Sequence, residues 1–186
     1  MVQSIIFAIG FALLASARGD FDFTPIASFY EVEGIRVPNL HFQNGAKVIS
    51  YSPPSGWRTS GGGKKVEWIP QEAVQAGAVI EARPGRDFAD EAAKIKGLRE
   101  QALEELPRQA MQVETIEAKP SELVISGRGG VELLLSYTLF AQQFRSMILW
   151  IPHDREWVRI SFTARASDFA VLEKVFRRSL YSMEGL

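Results

Sequence analysis

Chemistry by nucleophilic attack needs a nucleophile beside a base, and this chain has few bases to offer. It holds two histidines, His41 and His153, and no cysteine. The missing cysteines exclude a thiol nucleophile, a disulfide framework and any Cys-ligated zinc or iron centre. No Gly-x-Ser-x-Gly elbow occurs. His41 falls in a strand-like run and His153 in the polar stretch Pro152-His153-Asp154-Arg155-Glu156, so neither has a setting for general-base work. His153, Asp154 and Glu156 are ligand types, but consecutive turn residues rarely converge on one ion. They read as a solvated hairpin tip. No metal, no cofactor and no catalytic residue is expected.

Two glycine-rich turns invite comparison with phosphate loops. Gly61-Gly62-Gly63-Lys64-Lys65 has Arg58 where a Walker loop needs its first glycine, and Lys65 where it needs Ser or Thr. A strand follows it, and a phosphate loop needs a helix. Gly127-Arg128-Gly129-Gly130 also leads into a strand and fails in the same way. The carboxylates Asp87, Asp90, Glu91, Glu100, Glu104 and Glu105 are spaced along a helix and read as its solvated face.

Aromatic residues beside cations are the remaining candidates. Trp57 and Trp68 flank the triple glycine, with Arg58, Lys64 and Lys65 between them. Trp and Arg are enriched among interface hot spots, so these five residues form a candidate binding surface on an adjustable loop. The competing reading makes the two tryptophans strand-end anchors and the turn between them a solvated basic connection.

The elements that must position such a site are clearest in the last third. Val158, Ile160 and Phe162 alternate with Arg159, Ser161 and Thr163, the period of a strand. Phe162 belongs to the face that meets the terminal helix, and Trp157 to the face of Arg159. Met147 to Ile151 is a continuous apolar run suited to the centre of a sheet. Phe169, Leu172, Val175, Phe176 and Leu180 form one helical stripe. Upstream, Asn44-Gly45 between strand-like runs predicts a hairpin turn. Short strands are expected at 66–69, 78–82, 110–116 and 122–126, and a long one at 131–140. Asp87 is the predicted N-cap of a middle helix whose buried face is Phe88, Ala92, Ile95, Leu98, Ala102 and Leu106. Gly97 inside that helix suggests a close packing contact. Strands with one helix in the middle and one at the end predict an α+β fold, an antiparallel sheet covered by helices.

Residues 1–17 carry no charged side chain, and Ala15-Ser16-Ala17 fits a small-x-small cleavage pattern. The expectation is a signal peptide over 1–17 with a mature chain from Arg18. An uncleaved anchor and a buried helix are the alternatives. A lead-in and first strand would occupy 18–45 and a single α/β domain 46–186. Within the lead-in, 26–32 reads as an edge strand or a tether. The net charge of −1 and the dispersed basic residues give no electrostatic case for nucleic acid or an anionic membrane. No stable membrane span is expected after cleavage. A hydrophobic share of 46% with 12 Phe and 4 Trp is enough for a core without disulfides.

The stretch Ser50-Tyr51-Ser52-Pro53-Pro54-Ser55-Gly56-Trp57 resembles the early strand, Pro, Gly-Trp signature of the PsbP-like fold. That group includes the extrinsic oxygen-evolving subunit of photosystem II and a Ran-binding import factor. Ile160-Ser161-Phe162-Thr163-Ala164, Asp168-Phe169 and Ser179-Leu180 resemble its closing strand and helix, so the likeness covers Ala46 to Leu180. The resemblance implies a three-layer α/β/α sandwich with a central antiparallel sheet, and members that mostly bind proteins without catalysis. It carries over no functional residue. The expected function is an exported, non-catalytic binding or accessory module whose partner is another envelope or extracellular protein. The alternatives are an exported, hydrolase-like enzyme with a site built from scattered polar residues, and a structural envelope protein. A pocket with converging titratable groups favours the enzyme, and an exposed apolar patch favours the partner.

Overall fold

The strand with the cleanest alternation is the middle strand of the sheet. In the computed structural model, which describes residues 21–73, 75–153 and 156–186, ten strands and two helices follow one another. They are β1 Phe21–Val32, β2 Ile35–Asn44, β3 Lys47–Tyr51, β4 Trp57–Gly62, β5 Lys65–Pro70, β6 Gly77–Pro84, α1 Glu91–Glu104, β7 Met111–Pro120, β8 Val131–Leu139, β9 Gln142–His153, β10 Glu156–Arg165 and α2 Ala166–Leu180. The seven-stranded sheet has the order β4-β5-β6-β10-β9-β8-β7, and β1-β2-β3 form a second sheet. Every pairing is antiparallel. The signal segment expected at 1–17 lies outside the described residues.

Alternation along β10 serves two cores. Val158, Ile160 and Phe162 enter the larger one, together with Phe169, Phe176 and Leu180 of α2 and with Phe21, Phe23, Phe42 and Tyr51 of the small sheet. Phe162 has its ring 5.7 Å from Phe176 and 5.5 Å from Phe169, as its phase requires. Trp157 points the other way, into the smaller core with Trp150, Ile148, Val131, Leu133 and Leu135 under Leu98 and Ala102 of α1. The result is an α+β sandwich: α1, then the long sheet, then a layer made of α2 and the small sheet.

Four local expectations are corrected. The cap of α1 is Asp90, not Asp87. Its backbone is extended, and its carboxylate accepts from the Ala93 N–H at 2.8 Å. Phe88 therefore stays outside the helix and lays its ring on Gly97, where an added Cβ would come within 2.7 Å of Phe88 Cε1. Residues 122–126 form no strand, because β7 continues to Pro120 opposite Val131 and takes the edge of β8. They curl into a loop closed by Ile125 and Arg128, with Leu123 and Ile125 buried in the larger core. The β2–β3 turn is Gly45-Ala46, since Asn44 still pairs with Lys47. Finally, His153 is no solvated tip: it is buried, with Nε2 3.1 Å from Asn44 Nδ2 and its ring edge-on to Phe21 at 4.9 Å.

Candidate functional site

Strand parity separates the five residues expected to form a contact surface. In the β4–β5 hairpin, Thr59 stands opposite Trp68 and Arg58 opposite Ile69. Trp57 and Trp68 therefore share the core face, while Arg58 and Lys65 take the other. Trp68 is fully buried between Phe42 and Tyr51, at 6.3 and 5.2 Å between ring centroids. Trp57 is half-buried, stacked on Phe176 at 5.8 Å. Lys64 Nζ lies 3.3 Å from Glu156, and Lys65 Nζ lies 2.5 Å from Glu67. Arg58 is exposed. The glycines here allow close approach more than mobility. A Cβ on Gly61 would meet the Lys65 carbonyl at 2.7 Å, and one on Gly62 would meet Thr24 Oγ1 at 3.0 Å. The Gly63 N–H donates to Thr24 Oγ1 at 3.1 Å, so the turn is seated on β1. Of the five residues expected to form one surface, Trp57 and Trp68 thus lie on the core face, Arg58 and Lys65 on the opposite face, and Lys64 in a turn braced on β1.

Two clusters of partly buried charge escaped the sequence reading. On the α1 face, Arg159 donates to Glu81 at 3.0 Å and to Ser161 at 3.1 Å, and its Nε lies 3.2 Å from Glu105. Its guanidinium also stands over the Trp150 ring. On the α2 face, Arg177 holds both oxygens of Glu132, and Glu132 also accepts from Ser121 Oγ at 3.1 Å. Burial pushes the Glu132 carboxyl up, but the hydrogen bonds and charge of Arg177, with help from Ser121, hold it below the usual carboxylate range. Charges engaged in this way are structural clamps on the two helices. The signal for them was present, since a charged residue inside an alternating strand must find its counter-charge.

The Glu132–Arg177 clamp lines a shallow cavity with Glu117, Lys119, Glu122 and Tyr181. A cavity of about 610 Å³ lies between the β5–β6 loop and the start of α2, lined by Glu72, Gln75, Arg165, Ser167, Asp168 and Leu172 among others. There Arg165 is bound to Gln75, and Ser167 Oγ donates to Asp168 at 3.0 Å. No histidine lines it among the described residues. Among the described residues no group of three metal-ligating side chains comes together.

What the molecule does present is an arm. β3 pairs only with Leu40–Asn44 of β2, whereas β1 and β2 continue past it to a turn at Glu33-Gly34, both with positive φ. Asn39 still bonds Ser50 and Ser52, and beyond it the hairpin has no third strand paired with it among the described residues. By parity Ile26, Tyr30, Val32, Ile35 and Val37 share its outer face, with Phe29 on the other. Phe29 is 57% exposed and Ile35 67%. Arg36 lies over the Phe29 ring at 4.4 Å. This run, read from sequence as an edge strand or tether, is a long ordered strand with apolar residues in the open.

No protein-family model matches the chain, and no curated protein matches it. Solved structures do. The Ran-binding protein Mog1p of Saccharomyces cerevisiae is similar over 87% of this chain and 96% of its own, with 12% identity and a TM-score of 0.54. The cyanobacterial PsbP (CyanoP) of Synechocystis sp. PCC 6803 is similar over 74% of this chain and 86% of its own, with 9% identity and a TM-score of 0.53. Among the described residues, no helix is long and apolar enough to cross a membrane. The order of strands, the sandwich layers and these two likenesses together give this chain the PsbP/Mog1-like fold.

Proposed function

We propose that this chain is an exported, non-catalytic binding module that acts through protein–protein contact in the envelope or outside the cell. The observation that supports this most is the β1–β2 arm, where Tyr30, Val32 and Ile35 stand exposed on one face of a projecting hairpin and Phe29 on the other. A two-stranded hairpin is marginal in water by itself, and contiguous exposed apolar surface is the mark of a partner. In the cavity beside α2, Arg165 and Ser167 are engaged by Gln75 and Asp168. Mog1p, which shares the fold, is described as Ran-binding, a protein contact on the same framework. Export rests on the apolar run and Ala15-Ser16-Ala17.

The contact is tested with Tyr30→Ser and Ile35→Ser together. Both side chains are exposed, so melting temperature should hardly move, while capture of protein from the native envelope should be lost. Reversal of Lys64 and Lys65 to Glu should leave capture intact. Loss of capture by the lysine variant alone would move the contact to the basic turn. Export is tested by intact mass from the native host, where a chain starting at Arg18 is expected and retention of residues 1–17 refutes it.

A further inference from the structure

Two sheets have four edges, and this molecule guards three of them. The β3 edge is five residues long and closed by Ser50 and Glu184, which exchange two backbone hydrogen bonds of 3.0 Å. The β4 edge carries Arg58, ends in glycines and is capped by Thr24. The β7 edge has Gln112 at positive φ, two register shifts, Lys119 and a terminal Pro120. Short length, bulges, lysine, proline and covering chain are how proteins keep an edge from pairing with another strand. The fourth edge, β1 from Ile26 to Val32, is bounded by Pro25 and a register shift but has none of these within it among the described residues. Its register with β2 is unbroken over those seven residues, and Glu31 is its only charge. No backbone hydrogen bond covers its outer side among the described residues.

We propose that this edge pairs with the same edge of a second copy, antiparallel about a two-fold axis at Phe29, joining two three-stranded sheets into one. This rests on the reading of the chain as a binding module and names the partner of its arm. The edge is self-complementary. Pro25 bounds it on one side and the turn at Glu33-Gly34 on the other, so one register pairs all seven residues. In it, Ile26 of one copy faces Val32 of the other, Ala27 faces Glu31, Ser28 faces Tyr30, and Phe29 faces Phe29. No like charges stand opposite, and two aromatic rings meet on the axis, a favourable cross-strand pair. Even-numbered residues meet even-numbered ones, so the apolar outer faces of the two arms merge. A closed two-fold contact of this kind also ends the pairing at two copies.

The test is sedimentation of the full chain over a dilution series, with Phe29→Lys and Ala27→Lys beside it. Phe29→Lys sets two like charges opposite each other on the axis and should weaken the dimer at least about tenfold. Ala27→Lys sets each lysine opposite Glu31 and should tighten it about threefold. The opposite signs separate pairing in this register from any loss of fold, which circular dichroism checks. A wild-type chain that stays monomeric at the highest soluble concentration overturns the proposal. So does a dimer that neither variant alters. A monomer whose arm still captures a different protein overturns self-pairing and leaves the binding-module reading standing.

Discussion

The β9–β10 hairpin and the β1–β2 hairpin are built from strands of the same lengths, 12 and 10 residues. One is the deepest part of the molecule and the other leaves it. β10 lies between β9 and β6, with α2 over one face and α1 over the other, so both of its alternating sets are buried. Among the described residues β1 has a sheet neighbour on one side, and beyond Ala27 no layer covers its hairpin. The difference is the number of covered faces and paired edges, not strand propensity. Strand identity is a local property, and burial is set by what the rest of the chain lays on top.

That contrast is tested first by substitution in the covered hairpin. Phe162→Ala removes a ring fully buried against Phe169, Phe176 and Trp57. It should cost about 3–5 kcal/mol in a denaturant titration, the usual loss for a buried Phe with its residual cavity. Tyr30→Ala in the arm should cost well under about 1 kcal/mol, as for surface positions. Equal losses would dissolve the distinction.

A smaller effect sharpens the inner face. Glu132→Gln breaks the carboxylate that anchors Arg177 of α2. About 1.5–3 kcal/mol should be lost near neutral pH, the range for a hydrogen bond to a charged group. Arg177 is partly exposed and keeps Glu173, which limits the loss. The native carboxyl is held below its ordinary value of 4.5. Its contribution is therefore present above that value and vanishes as pH falls through the lower native one. Acid titration should bring the wild type and Glu132→Gln together, and a gap that stays constant to low pH would refute the assignment.

The smallest effect concerns a turn at the edge of the covered sheet. The β8–β9 turn puts Phe140 and Ala141 at φ of 49° and 60°, where Asn-Gly is the favoured pair. Phe140 is exposed there, so replacing it loses little packing. Phe140→Asn with Ala141→Gly should gain about 1–2 kcal/mol by relieving left-handed strain, read as a raised melting temperature. An unchanged melting temperature would mean that the strain is relaxed elsewhere.

Much of the framework was legible because periodicity and chemistry agreed. The alternation of Val158 to Thr163 placed β10, Trp157 and Phe162 on their correct faces, and the stripe from Phe169 to Leu180 placed α2. Local signals misled where a non-local partner decided. Residues 122–126 alternate like a strand, but β7 already holds the edge they would need. Asp87 looks like a cap, but Phe88 is drawn out of the helix to cover Gly97. His153 sits in a polar turn sequence, yet Phe21 and Asn44 from the distant small sheet bury it. The face taken by the two tryptophans beside the triple glycine was not legible until pairing of β4 with β5 placed both toward the core. The arm was visible only as a strand-like run, because no single sequence states which faces stay uncovered.

Amide hydrogen exchange tests the role of the arm most directly, since it reads backbone pairing residue by residue. The full chain would be compared dilute and concentrated, and alone and with any protein captured from its envelope. The expected result is protection gained over Ile26–Val32, with β10 unchanged because it is already protected in the monomer. Protection gained instead at the glycine turn 61–65 or on α1, with exchange over Ile26–Val32 unchanged in every state, would contradict it.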